Sequence, residues 1–147
     1  MTPVLFGYFH LVRGMTLGVR AAVLDGDNRV FLVRHTYVPG WYLPGGGVEA
    51  GETSQEALVR ELEEEGNIRL DGPAELRGLY WNREASRRDH VAFFVVRQFT
   101  QVKPRLPDRE IAEAGFFPLD ALPEDTTRST HRRLDEVAGI RGPDGFW

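Results

Sequence analysis

The chain has 147 residues, a length that suits one domain over residues 1–147 with a real hydrophobic core. It is 41% hydrophobic and 27% charged, and no apolar run approaches the ~20 residues that span a bilayer. A net charge of -4 excludes a general pull toward nucleic acid or anionic membrane, and the lack of cysteine excludes disulfides, thiolate zinc sites and thiol nucleophiles. No stable nucleic-acid partner is therefore expected, and a cysteine-free chain fits a reducing cytoplasm.

The start, "MTPVLFGYFHLVRG", has no basic region before a sustained apolar run and makes a poor signal peptide. Leu17 to His35 reads as two strands around the turn Asp25-Gly26-Asp27-Asn28. The Gly- and Pro-rich stretch "YVPGWYLPGGGVEAGE" reads as loop with short strands. A helix is predicted from about Thr53 to Glu65, because Thr53-x-x-Glu56 matches a capping box. "AELRGLYWNRE" and "DHVAFFVVRQF" form a predicted strand pair across a basic loop. "QVKPRLPDREIAEAG" is an irregular connection, "AGFFPL" a short strand, and "STHRRLDEVAG" a helix ending at Gly139. Strands, loop, helix, strands, helix predict an α/β (α+β) fold with helices covering a mixed sheet.

One helix breaks a local rule. Glu61, Glu63, Glu64 and Glu65 crowd its C-terminal end. Like charges repel there, and the helix dipole at that end favours cations. At about 100° per residue, with Glu61 at zero, Glu64 falls near -60° and Glu65 near +40°. Leu58, Leu62 and Val59 fall near about 60°, 100° and 160°, a stripe that predicts the core contact. Glu56 and Glu63 point toward solvent. Carboxylates gathered at a core rim suit a hard divalent cation, which would offset both the repulsion and the dipole penalty. Taken alone, E-x-x-E-E also describes an ordinary solvated helix face.

The loop before the helix narrows the reading. Gly45, Gly46 and Gly47 permit close backbone approach to a ligand, or simply a tight turn. The combined spacing runs Gly46, five residues, Glu52, seven residues, Arg60-Glu61-Leu62, one residue, Glu64-Glu65. This resembles the Nudix hydrolase signature, G-x5-E-x7-R-E-U-x-E-E-x-G-U with U a bulky aliphatic residue. The match covers 23 of 147 residues, Gly46 to Ile68, and departs at one fixed position. Asn67 stands where the signature has Gly, with Gly66 one place earlier. Either Asn67 adopts a left-handed conformation, or the helix stops at Gly66. The stretch "WYLPGGG" is similar to the MutT-like branch.

The resemblance implies an α/β/α sandwich on a mixed sheet, with the signature forming loop-helix-loop. It implies a pyrophosphohydrolase that cleaves a nucleoside diphosphate linked to another group, with Mg²⁺ or Mn²⁺ as cofactor. Carried over by position, Glu61, Glu64 and Glu65 are the metal ligands, joined by the carbonyl of Gly45. Arg60 and Glu52 pair and hold the loop against the helix. Glu64 or Glu65 is the expected general base, and Glu110 and Glu113, from a later loop, are candidates that otherwise read as solvated loop residues. The expected partner is a small nucleotide-type diphosphate, and a nucleoside triphosphate suits the compact chain best. Oxidised nucleotides, dinucleoside polyphosphates, nucleotide sugars and ADP-ribose are the other candidates. A homodimer is compatible with the sequence. The alternative is a non-catalytic nucleotide-binding Nudix module. An isoprenoid diphosphate isomerase is set aside, because that chemistry needs a cysteine.

Residues outside the signature carry weaker expectations. Arg83, Arg87 and Arg88 read as a solvated basic loop, with substrate phosphate contact as the rival. Tyr37, Trp41 and Tyr42 either stack on a base or pack under the loop. His35 reads as packing, and Phe93, Phe94 and Phe99 as core. Arg132 and Arg133 read as solvated.

Overall fold

The computed structural model describes residues 2–147. Among these residues, three helices, α1 (Pro3–Arg13), α2 (Ser54–Gly66) and α3 (Arg128–Val137), accompany nine strands. The strands are β1 (Thr16–Val23), β2 (Arg29–His35), β3 (Trp41–Tyr42), β4 (Gly45–Gly47), β5 (Ile68–Leu70), β6 (Glu75–Trp81), β7 (Asp89–Val96), β8 (Phe99–Gln101) and β9 (Ile111–Pro118). One sheet runs β4-β1-β7-β6, a second β3-β2-β9, and β5 pairs with β8. The arrangement is mixed, since β1 lies parallel to β7 from Thr16 opposite Asp89 to Val23 opposite Val96, while the other pairs are antiparallel. No described helix is long and apolar enough to cross a membrane.

Strand alternation builds two cores. Val19, Ala21, Val23, Phe31, Val33, Ala92, Phe94 and Val96 face α2 through Ala57, Leu58 and Leu62. Their neighbours Ala22, Val30, Leu32, Phe93 and Val95 face the opposite way, against Tyr80 and Leu134 of α3. A strand buried on both faces is apolar throughout, which is why β7 reads as a continuous hydrophobic run. Phe93 and Phe94 thus belong to separate cores. Phe99 lies in β8, half-buried, and stacks on Phe116 with centroids 5.7 Å apart. This is the expected sandwich of helices about a mixed sheet.

The turn between β1 and β2 is held by Asp25, whose carboxylate accepts the Asp27 and Arg29 amides at 3.0 and 2.9 Å. The two strands then part into different sheets, joined by one bridge between Leu24 and Val30.

The helix α1 had no counterpart in the sequence reading. Thr2 caps it, accepting the Leu5 amide at 3.3 Å, and Pro3 opens it. It buries no residue of its own.

The solvated reading of Arg132 and Arg133 is wrong. Arg133 is fully buried, its guanidinium 4.0 Å from the Tyr80 ring centroid and 5.1 Å from that of Trp147. It donates to the Phe146 carbonyl at 2.9 Å and lies 3.1 Å from the Glu136 carboxylate. Burial pulls its pKa down, and Glu136 opposes that shift. Arg132 is half-buried and donates to the Trp147 carbonyl. The cause is the segment 142–147, which folds back beside β6 with Phe146 bridged to Trp81. Helix periodicity alone carries no sign of that cover.

Candidate functional site

The helix α2 begins as its sequence predicts. Thr53 accepts the Glu56 amide at 3.0 Å, and Glu56 accepts the Thr53 amide at 3.3 Å. Asn67 takes the left-handed conformation, φ 53°, and its amide donates to the carbonyls of Glu63 and Leu62. Gly66 stays helical for a packing reason. A Cβ there would lie 2.8 Å from Ile68 and 2.9 Å from Phe31.

The acidic face sits deeper than expected. Val59 is 45% exposed and does not belong to the core stripe, whereas Ala57 is fully buried. The buried arc therefore runs from Ala57 to Leu62, with Glu61 and Glu65 inside it. Their side chains are each only 13% exposed, while that of Glu64 is 61% exposed. The reason is β4, which brings three glycines against this face. A Cβ on Gly46 would lie 2.4 Å from a Glu61 carboxylate oxygen, so the carboxylate occupies room that a side chain would fill. The Gly45 amide donates to Glu65 Oε2 at 3.1 Å.

Arg60 and Glu52 form the expected pair, with two hydrogen bonds of 2.9 and 2.8 Å. Arg60 also donates to the Gly47 carbonyl at 3.0 Å and to Glu61 at 2.8 Å. One guanidinium thus ties the loop, β4 and α2 together. It holds the Glu52 carboxyl at about 2. Burial pushes the Glu61 carboxyl up. Arg60 opposes this, and the charges of Glu65 and Glu64 add to the rise.

Glu61, Glu64, Glu65 and Glu110 line one cavity of about 350 Å³, together with Gly45 and His35. Glu113 stands apart, 3.1 Å from Arg34. His35 Nε2 lies 3.8 Å from Glu65 Oε1, and its buried Nδ1 has no partner. Tyr37 lines the cavity but is 70% exposed. Trp41 is core, edge-on to Phe117 at 4.8 Å, and Tyr42 is half-buried against the core that faces α2. Tyr42 lines this cavity and also a larger one of about 890 Å³.

The donor set fits a hard cation: carboxylates and a glycine loop, with no sulfur. Among the described residues no three His, Asp or Glu side chains already converge on one point. Glu61 turns to Arg60 and Glu65 to the Gly45 amide, each taking the nearest donor.

The basic loop contributes little to either cavity. Arg83 stacks on Phe146 at 4.4 Å, the Arg87 carbonyl accepts from Trp81 Nε1, and Arg88 donates to the Gly14 carbonyl. Asn82 and Glu84 of the same connection, and Asp89 at the start of β7, line the larger cavity instead. Sequence reasoning passed over Arg20 and Trp147, which also line it. The signal for Arg20 was present, a lone cation inside the apolar run "LGVRAAV". Nothing local pointed to Trp147.

Glu110 is positioned by Asp108, whose carboxylate accepts the amides of Ile111 at 2.7 Å and Glu110 at 2.8 Å and pairs with Arg105 at 2.7 Å. Arg105 in turn donates to the Glu64 carbonyl, joining this loop to α2. The Ile111 amide, then Arg105 and the Glu110 amide, hold the Asp108 carboxyl at about 2, below its usual 3.8. A depressed carboxylate contributes stability above its unfolded pKa and loses it as pH falls through the folded one. The loop is expected to loosen between pH 4 and 2. Asp108→Asn should speed amide exchange at Glu110 and Ile111 roughly tenfold at pH 7, the worth of about one hydrogen bond. Unchanged exchange would show that the loop is held elsewhere.

A family model described as NUDIX domain matches residues 14–137. The chain is 33% identical over 105 residues to an ADP-ribose pyrophosphatase of Methanocaldococcus jannaschii, covering 69% of this chain and 62% of that protein. It is 34% identical over 123 residues to an RNA pyrophosphohydrolase of Pelagibacter ubique, covering 71% of this chain and 77% of that one. It spans 40%, 62% and 52% of the length of three of the curated relatives it matches. A crystal structure of a MutT NUDIX hydrolase from Burkholderia pseudomallei superposes with TM-score 0.71 at 29% identity, over 83% of this chain and 97% of that one. Signature, fold and comparison agree: the chain belongs to the NUDIX family.

Proposed function

We propose that the protein is a metal-dependent pyrophosphohydrolase acting on a nucleoside diphosphate linked to another group. A nucleoside triphosphate or a related nucleotide is the favoured substrate. The observation that carries this reading is the placement of Glu61, Glu64, Glu65 and Glu110 around one cavity that adjoins a second, larger one. Family members generally use divalent metal ions, and oxygen donors of this kind favour Mg²⁺ or Mn²⁺. Glu61, Glu64 and Glu65, with the Gly45 carbonyl, would hold the ion. Bound there, it would neutralise phosphate charge and acidify a water.

The chain's own groups supply the rest. Arg60 and Glu52 fix the loop, so that the glycine backbone and the carboxylates keep one spacing. Glu110 faces the same cavity as the acids and is the proposed acceptor of the water proton, in preference to Glu113, which is paired with Arg34. Glu64, the most exposed of the three helix acids, is the other candidate base. The larger cavity would take the nucleoside, with Tyr42 in the wall it shares with the carboxylate cavity.

The test is release of phosphate and pyrophosphate from nucleoside triphosphates, oxidised nucleotides, dinucleoside polyphosphates, nucleotide sugars, ADP-ribose and 5′-triphosphorylated RNA. The expected result is turnover with Mg²⁺ that EDTA reduces at least a hundredfold. Nucleotide binding without metal and without turnover would overturn the proposal in favour of a non-catalytic module.

A further inference from the structure

Arg20 stands at the seam of the two cavities. It lines the 350 Å³ cavity with the acids and the 890 Å³ cavity beyond, and among the described residues only Tyr42 and Gly46 share that position. It sits on β1 opposite Gly45, which lines the carboxylate cavity. Its side chain is held rather than loose. Nη1 donates to the Leu43 carbonyl at 2.7 Å, and the guanidinium lies 5.9 Å from the Tyr42 ring centroid.

The contrast with Arg60 is informative. Arg60 makes four hydrogen bonds, to Glu52, Glu61 and the Gly47 carbonyl, two of its partners being carboxylates. Arg20, among the described residues, makes one hydrogen bond, to a neutral carbonyl, and no ion pair. The remaining donors of its fork are unengaged. A permanent cation left without a carboxylate, beside a cavity that holds four, is arranged for an anion from outside. The planar fork of arginine matches phosphate oxygens two at a time.

We propose that Arg20 is a substrate-positioning residue that grips the phosphate on the nucleoside side of the scissile linkage. The next phosphorus is then left among the carboxylates. This rests on the site reading proposed above. It deepens that reading by requiring that the substrate carry a phosphate at the seam, with its nucleoside in the larger cavity.

The test compares wild type, Arg20→Ala and Arg20→Lys. ADP binding with Mg²⁺ is measured by calorimetry, and kcat and KM on the best panel substrate by phosphate release. The expected result is ADP affinity weakened and KM raised at least tenfold in Arg20→Ala, with Arg20→Lys between the two. The Mg²⁺ concentration for half-maximal activity should stay unchanged, and millimolar guanidinium should restore part of the alanine variant's activity. Unchanged ADP affinity and KM would overturn the inference. So would equal losses in both variants with no guanidinium rescue, which would make Arg20 scaffold. If wild type hydrolyses nothing but its ADP affinity still depends on Arg20, the hydrolytic reading fails and this one stands. If wild type neither hydrolyses nor binds, both fail.

Discussion

Glu65→Gln is expected to lower turnover by roughly 10–100-fold or more, the range for disturbing a metal site, while leaving the metal-free protein as stable as before or slightly more so. The two effects have one cause. Glu65 is nearly buried beside Glu61, and its charge helps to raise the Glu61 carboxyl. Neutralising one of two neighbouring like charges removes a repulsion of a few tenths of a kcal/mol. A glutamine oxygen can still accept the Gly45 amide, so the β4 contact survives. Activity should therefore fall with no loss of Tm in EDTA. Thermal unfolding in EDTA and kcat with Mg²⁺ check the two halves separately. A Tm lowered by more than about 3 °C, roughly 1 kcal/mol for a chain of this size, would reassign Glu65 to the scaffold.

Adjacent glycines should fail in different ways. A Cβ on Gly45 would lie 1.9 Å from the Val19 carbonyl oxygen, at a residue whose φ is +153°. Neither side can yield, because both are backbone in a paired strand. Gly45→Ala is expected to cost roughly 3 kcal/mol or more, from left-handed strain and overpacking together. A Cβ on Gly46 would instead meet the Glu61 carboxylate at 2.4 Å, the far end of a side chain that can swing away. Gly46→Ala should unfold in urea within about 1 kcal/mol of wild type. Its activity should fall at least tenfold, because Glu61 is displaced from the cavity. Urea titration with kcat on both variants settles the contrast. Full activity in Gly46→Ala would mean that the observed position of Glu61 is not used.

Much of this was legible in the chain itself. The capping box set the start of α2, and the motif spacing named Glu52, Arg60, Glu61, Glu64 and Glu65. The reading also allowed Asn67 its left-handed turn. These are local properties, set within a helical turn or by consecutive residues. The apolar runs of β1, β2 and β7 likewise marked them as strands, although that both faces of each are buried emerged only from the packing.

Other features were decided by contact between distant segments. Helical angles put Val59 in the core and kept the acids at the rim. The structure reverses this, because β4 offers glycine backbone where another strand would offer side chains. Arg133 read as solvated because residues 142–147, which cover it, lie about ten positions away and fold back from the end of α3. Glu110 and Glu113 are three residues apart, with Glu110 placed ahead in the sequence reading but no local reason to separate their surroundings, and one faces the acids while the other pairs with Arg34. The sequence by itself determined which chemistry was on offer, because carboxylate spacing on a helix is a local geometry. Only the tertiary structure decided which groups share a cavity and which cation, among the described residues, stands at its seam without a carboxylate partner. Burial and charge pairing depend on segments that meet in space after folding.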